Sequence, residues 1–271
     1  MSLRFERRRL RVTCQDPPWK IVRAFAQPGG GLLVHLNNVS GGVLAGDRLR
    51  LDVEIHPGEI AQVTTTGATR LYRHRPGAAD SEQHTVISVG EGALMEYLPD
   101  AVIPYARSRH TQRTEIKLAS GAALFWWEVV APGRQAAGER FAFERLCVES
   151  DVHAGARPVV RERFLLEPAA RPLAVTARMQ QYAHVASFYA CQEGRPPAFW
   201  RVLESQLNEL AKERTQSGEV LWGASTLACD GVMVRGLSVS SRWIQPALIE
   251  FWRQARLAVT GHEAIPPRKI S

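Results

Sequence analysis

Residues 48–55, Arg-Leu-Arg-Leu-Asp-Val-Glu-Ile, alternate polar and apolar side chains without a break. That period of two is the signature of a strand with one buried face. Runs at 31–36, 60–66, 84–89, 113–118, 122–130, 141–148 and 159–166 predict further strands. Gly29-Gly30-Gly31, Pro57-Gly58, Gly90-Glu91-Gly92, Ser120-Gly121 and Pro132-Gly133 punctuate their ends,. Three strand–turn–strand units look alike, Val53–Ala61, Thr85–Ala93 and Glu115–Ala122, and the alanines after their turns lie 32 and 29 residues apart. One β unit repeated at such a period predicts stacked layers, each covering the face of the next.

The last third changes character. After Pro196-Pro197, residues Phe199, Leu203, Leu207 and Leu210 recur at helical spacing, and the helix should stop near Ser217-Gly218,. Residues 219–229 and 232–240 predict a hairpin around Asp230-Gly231,. A second helix is expected from about Pro246, through Leu248, Phe251, Ala255 and Val259, to Gly261 as its C′ residue,. The expected fold is therefore mainly β, with layered, β-helix-like (solenoid-type) strands and two helices toward the C-terminal end. No Ser/Gly linker divides the chain, which predicts one domain over 1–271. It comprises a basic N-terminal segment (1–19), a layered β core (20–190) and a helix-hairpin-helix region packed on that core (191–271).

Composition narrows the class of protein. With 45% apolar and 23% charged residues in 271, the chain is ordinarily globular and large enough to bury a core without a metal or disulfide staple,. No apolar run approaches the roughly 20 residues of a membrane helix, and the start lacks the apolar stretch of a secretion signal. A cytoplasmic protein is expected. Residues 1–11 hold five arginines against one glutamate, so the remaining chain carries only +3 of the total +7. Such an arm could touch nucleic acid, or it could be a strand with arginines on its wet face. Cys14, Cys147, Cys191 and Cys229 are far apart and read as small buried hydrophobes,.

Local catalytic signatures are missing from the sequence. There is no G-x-S-x-G elbow, no phosphate-loop motif, no H-E-x-x-H and no dinucleotide fingerprint, and no two of the eight histidines lie closer than ten residues,. Four Gly-framed polar loops stand out instead: Ser40-Gly-Gly-Val-Leu-Ala-Gly-Asp47, Thr64-Thr-Thr-Gly-Ala-Thr-Arg-Leu-Tyr-Arg73, Glu96-Tyr-Leu-Pro-Asp-Ala-Val-Ile-Pro-Tyr105 and Pro132-Gly-Arg-Gln-Ala-Ala-Gly-Glu-Arg-Phe141. Acids, bases and glycines in each loop can form a functional surface or buried ion pairs between layers.

The ordered set GGVLAGD, TTTGATRLYR, EYLPDAVIPY and GRQAAGERF resembles the urease accessory protein UreD family, called UreH in some organisms. The resemblance spans about residues 21–141. It is looser in the C-terminal third, where it rests on Trp252, Arg256, Gly261 and Pro267-Arg268. Two departures are Asn37-Asn38-Val39-Ser40, where members often carry His and Pro, and the end Lys269-Ile270-Ser271, which lacks a frequent Trp.

The resemblance implies a maturation factor rather than an enzyme, with a β-helical fold and two helices. The implied partners are UreF, the GTPase UreG through UreF, and the apo-urease subunits, with a dimer of UreD–UreF heterodimers as a possible assembly and neither nucleic acid nor membrane. No cofactor would be tightly bound. Nickel would pass through in transit to an active site whose lysine must also be carbamylated. A transit route should hold the ion weakly, and carboxylates are weaker nickel partners than imidazole or thiolate. Asp47, Glu96, Asp100 and Glu139 are thus the candidates for lining it, with Gly41, Gly42, Gly46, Thr65, Arg70, Tyr72, Arg134 and Gly138 supporting them or facing a partner. Trp200, Trp243, Phe251 and Trp252 are candidates for binding UreF, and simple packing on the β layers is their plainer reading. Two rivals remain: a hydrolase using Asp47 and Glu139 as an acid pair, and a nucleic-acid binder using the arginine arm.

Overall fold

The computed structural model describes residues 1–267, so Arg268 and the Lys269-Ile270-Ser271 end lie outside the described residues. The strands, in chain order, are β1 (Ser2–Glu6), β2 (Arg9–Cys14), β3 (Trp19–Lys20), β4 (Ala24–Ala26), β5 (Leu32–Asn38), β6 (Arg48–Ile55), β7 (Ile60–Thr65), β8 (Thr69–Leu71), β9 (Ser81–Val89), β10 (Leu94–Leu98), β11 (Val102–Pro104) and β12 (Arg109–Leu118). There follow β13 (Ala123–Val130), β14 (Arg145–Ala154), β15 (Arg157–Leu166), β16 (His184–Gln192), α1 (Pro197–Arg214), β17 (Val220–Thr226), β18 (Gly231–Ser238) and α2 (Ile244–Thr260).

The strands form two sheets, and between β5 and β14 the long strands alternate between them. One sheet has the order β15-β14-β12-β9-β6-β1-β2, and the other β17-β18-β16-β13-β10-β7-β5-β3. Within each sheet the alternating strands pair in parallel, β6 with β9, β9 with β12 and β12 with β14, and β5 with β7, β7 with β10 and β10 with β13. Antiparallel partners, β2 and β15 in the first sheet and β16 to β18 in the second, extend the edges.

The turns joining β6 to β7, β9 to β10 and β12 to β13 stack on one another. Gly58, Gly92 and Gly121 sit in the left-handed region at φ +71°, +60° and +66°, where a Cβ is disfavoured. Gly58 N–H donates to Glu91 O, Gly92 N–H to Ser120 O, and Gly121 N–H to the Glu193 carboxylate at 3.0 Å. The three turns therefore stack, in a register that differs from the alanine spacing. Ile55 pairs with Val89 and Val89 with Leu118, so the first interval is two residues longer than the alanines suggest. Ala61 pairs with Met95 and Ala93 lies in the turn.

The apolar run of β13 is explained by burial on both faces. Leu124 and Trp126 join Phe5, Leu51, Ile87 and Ile116 in a core between the sheets. Phe125 and Trp127 face the other way, into a second core with α1 and α2. Helix α2 starts two residues before Pro246, and Gly261 ends it as expected, its N–H on Leu257 O. The 190/191 boundary falls inside β16, and β18 pairs with that strand, so the C-terminal region continues the second sheet as well as packing on it.

The N-terminal segment is built into the fold. β1 pairs in parallel with β6, and Leu3 and Phe5 are buried. Arg4 pairs with Glu54 and Arg11 with Glu6 on the wet face. The cysteine expectation needs correction: Cys191 is buried, Cys147 and Cys229 are partly exposed, and Cys14 is exposed because it ends the edge strand β2.

Candidate functional site

The four Gly-framed loops lie at the end of the layers opposite the glycine turns. Each carries the chain from the second sheet back to the first, and each hydrogen-bonds to the next. Val43 N–H donates to Arg70 O, and Tyr72 N–H to Val43 O. β8 pairs in parallel with β11, and Val102 of β11 pairs with Val130 of β13. Arg107 N–H, just past the third loop, reaches Ala142 O, just past the fourth. Motifs scattered over a hundred residues thus become adjacent rungs of one surface.

Side chains tie the rungs together. The carbonyl of Gly41 accepts from the Tyr72 hydroxyl at 3.3 Å and from Arg70 at 3.4 Å. A Cβ on Gly42 would stand 2.6 Å from both Arg70 O and a Tyr72 ring carbon, so glycine is required for the first two loops to approach. The Tyr72 ring meets Tyr105 edge-on at 5.4 Å, and the Arg134 guanidinium lies 4.3 Å over the Tyr105 ring. Arg134 grips Glu139 with two hydrogen bonds, and Ala106 N–H adds a third at 3.0 Å. The Arg134 guanidinium, followed by the Ala106 amide, holds the Glu139 carboxyl below its ordinary range. Gly138 closes the short turn between the two, its N–H on Gln135 O.

The four candidate acids do not share one channel. Asp47 staples its own loop by accepting from Leu44 N–H at 2.8 Å. Glu139 is committed to Arg134. Asp100 accepts from the Thr65 hydroxyl, and its own N–H donates back to that oxygen, both at 2.8 Å. Glu96 follows the parity of Leu94 and Leu98, so it faces the helices and pairs with Arg256. Gly46, at φ +86°, has no atom within 4 Å of where a Cβ would stand, so it serves the first loop through its backbone conformation.

Trp200, Phe251 and Trp252 are sealed between the helices and the second sheet, so their apolar surface is spent inside the chain. Trp243 is half-buried and donates its Nε1–H to Glu219 at 3.2 Å.

The space between the sheets changes from apolar to polar toward the loops. At that end a small cavity of about 40 Å³ is bordered by Thr65, Gln83, Tyr97, Asp100, Gln112 and Glu128. It shares Trp19, Leu36, Thr65 and Thr69 with a surface cleft beside Gly41, Gly42 and Arg70. It shares Glu128, Val130 and Val148 with a larger cavity of about 350 Å³ lined by Phe164, Met179 and Arg235. The three are thus neighbours that share walls, all near the loop end of the strands. Glu128 accepts from Gln112 at 2.8 Å and from Ser150 at 3.3 Å. Burial nonetheless pushes its carboxyl up to about 7, Gln112 and Ser150 opposing the rise. No motif marks Glu128; the available signal is a lone acid in the run Phe125-Trp-Trp-Glu-Val-Val130. Among the described residues, no group of three or more His, Cys, Asp or Glu is placed to hold a metal ion.

Residues 1–271 match the model of the UreD urease accessory protein family. The chain belongs to that family. The UreD urease accessory protein of Herpetosiphon aurantiacus is 40% identical over 269 residues, spanning 99% of this chain and 93% of that protein. That of Delftia acidovorans is 32% identical over 243 residues, 84% of this chain and 77% of its own length. UreD 3 of Methylorubrum populi is 32% identical over 228 residues, with 83% and 71% covered. UreD membership gives the chain a role in urease maturation as an accessory protein. No helix among the described residues is long and apolar enough to cross a membrane.

Proposed function

We propose that this UreD chain holds UreF, and through it UreG, on apo-urease in the cytoplasm, and that nickel passes to urease between its two sheets. The observation that carries this reading is the set of neighbouring cavities that share walls, with Asp100 and Glu128 among their lining. Oxygen donors suit passage, because they bind nickel more weakly than imidazole or thiolate and so let it leave. A carboxyl poised near neutrality exchanges a proton for a cation at small cost. The alternating parallel winding from β5 to β14 supports the solenoid-type description of the scaffold. Asp47 and Glu139 serve this reading as braces that shape the loop face rather than as the lining itself.

The test is co-expression with UreF, UreG and the urease subunits, followed by pull-down, urease assay and nickel content by mass spectrometry. Co-purification with UreF and apo-urease, with activity that depends on this chain, is expected. A paired Asp100→Asn and Glu128→Gln variant should keep UreF bound and lower the nickel in urease. Full nickel loading with that variant overturns the passage; full urease activity without the chain overturns the whole reading.

A further inference from the structure

The turn-rich connection after β8 and the third and fourth loops enclose a cleft of about 590 Å³, distinct from the cavities between the sheets. Tyr72, Arg73, Arg75, Tyr105, Arg107 and Arg134 border it, with Glu139 as the one acid on its lining. Glu139 is already matched by Arg134 and the Ala106 amide. Arg73 and Arg75 are exposed and make no salt bridge among the described residues, although the Arg73 charge helps to lower the Glu139 carboxyl across the cleft. The Arg107 side chain is 61% exposed and stands 3.6 Å from Glu144, a loose pairing that water screens,. Four guanidinium groups thus line a concave surface whose one acid, Glu139, balances a single charge, which leaves an excess of positive charge facing the cleft.

We infer that this cleft docks an acidic segment of a partner protein, its carboxylates read by Arg73, Arg75 and Arg107. Guanidinium forks match carboxylates in two-point hydrogen bonds, and their spread around the cleft suits several carboxylates on one extended chain. A single small anion would leave most of that volume and charge unused. A nucleic-acid strand would need free aromatic faces for its bases. Here Arg134 already covers the Tyr105 ring and Tyr72 abuts it edge-on. The inference is independent of nickel passage, since none of the three reading arginines borders the cavities between the sheets.

Anisotropy of a fluorescein-labelled peptide of about eight glutamates, added to the full chain, tests it. Binding should weaken about tenfold or more between about 0.05 M and about 0.3 M salt, as screened charge pairs require. Arg73→Ala with Arg75→Ala should weaken binding at least about fivefold, whereas Arg9→Ala with Arg201→Ala, on other surfaces, should not. Arg73→Glu with Arg75→Glu should instead take up an oligolysine peptide. All four side chains are exposed, so the variants fold. Equal glutamate binding by the first pair and the parent chain overturns the inference. So does tighter binding of an oligouridine RNA that is lost in the same pair, or complete displacement of the peptide by millimolar inorganic phosphate.

Discussion

Arg256, near the end of α2, donates its Nε–H to Oε1 of Glu96 at 2.7 Å, across 160 residues of sequence. The two side chains are 8% and 1% exposed. Trp252 adds a bond to the same carboxylate at 3.1 Å and Gln62 one at 2.8 Å. Burial pushes the Glu96 carboxyl up, and Arg256, Gln62 and Trp252 oppose it. The same groups hold the chain beyond α2: Arg256 also donates to the carbonyls of His262 and Glu263, and Gln62 to that of Ile265. The helix and the segment after it are thus fastened to the second sheet through one saturated polar network.

Arg256→Ala should therefore cost about 3–5 kcal/mol in urea unfolding, because it strands a buried carboxylate. Replacing both residues by leucine should cost less than the two single changes together, since no unpaired charge remains. Additive single and double changes would show that the pair is not coupled.

Gly42→Ala and Gly46→Ala should separate two uses of glycine in one loop. At Gly46 the added methyl meets open space at φ +86°, costing about 1–2 kcal/mol of backbone strain and nothing elsewhere. At Gly42 it collides with Arg70 O and the Tyr72 ring, forcing the first two loops apart. Near-UV circular dichroism of the tyrosines and urease activation should change for Gly42→Ala and stay near the parent for Gly46→Ala. The reverse order would refute the close-approach role.

Phe5→Ala should destabilise by about 3–5 kcal/mol, although it lies in the most basic stretch of the chain. Its ring is fully buried between the sheets. Arg9→Ala, on the exposed edge strand, should stay within about 0.5 kcal/mol. Equal midpoints in denaturant would mean that β1 contributes nothing to the core.

Period-two alternation made β6 and its neighbours legible, and Pro and Gly punctuation placed both helices. Helical spacing and the Asp-Gly turn located the C-terminal elements for the same reason: their signals are local. β16 escaped notice because it is nearly all buried and so has no alternation to read. β8 and β11 are three residues each, below any periodic signal. The four loops were visible as motifs, but their stacking is a property of strand pairing that spacing cannot express. The roles of the acids were least legible. Glu96 and Asp100 are four residues apart in the same loop motif, yet parity turns the first toward the helices, while the second lies past the strand end. Glu128 carries no motif, and only its place between the sheets gives it meaning.

Glu128 also sets a dependence on pH whose sign is fixed by burial. Its carboxyl titrates at about 7 in the fold, against an ordinary value of 4.5. Below pH 4.5 both folded and unfolded chains hold the proton, and the group costs nothing. As pH rises toward 7 the unfolded chain ionises while the folded one does not, so stability falls; above 7 the loss levels off at about 3 kcal/mol. Glu128→Gln removes the charge, so the variant should equal the parent near pH 4.5 and exceed it by up to that amount at pH 8. His110, buried and held down to about 4, works in the opposite direction, destabilising the fold as pH drops below about 6.5. It is common to both chains and cancels in their difference. The measurement is the difference in urea midpoint between variant and parent from about pH 5 to 8. A difference that grows with pH, joined to a loss of nickel delivery, would identify Glu128 as an acid retained for passage at the expense of stability. A flat difference would assign the pH dependence to other groups.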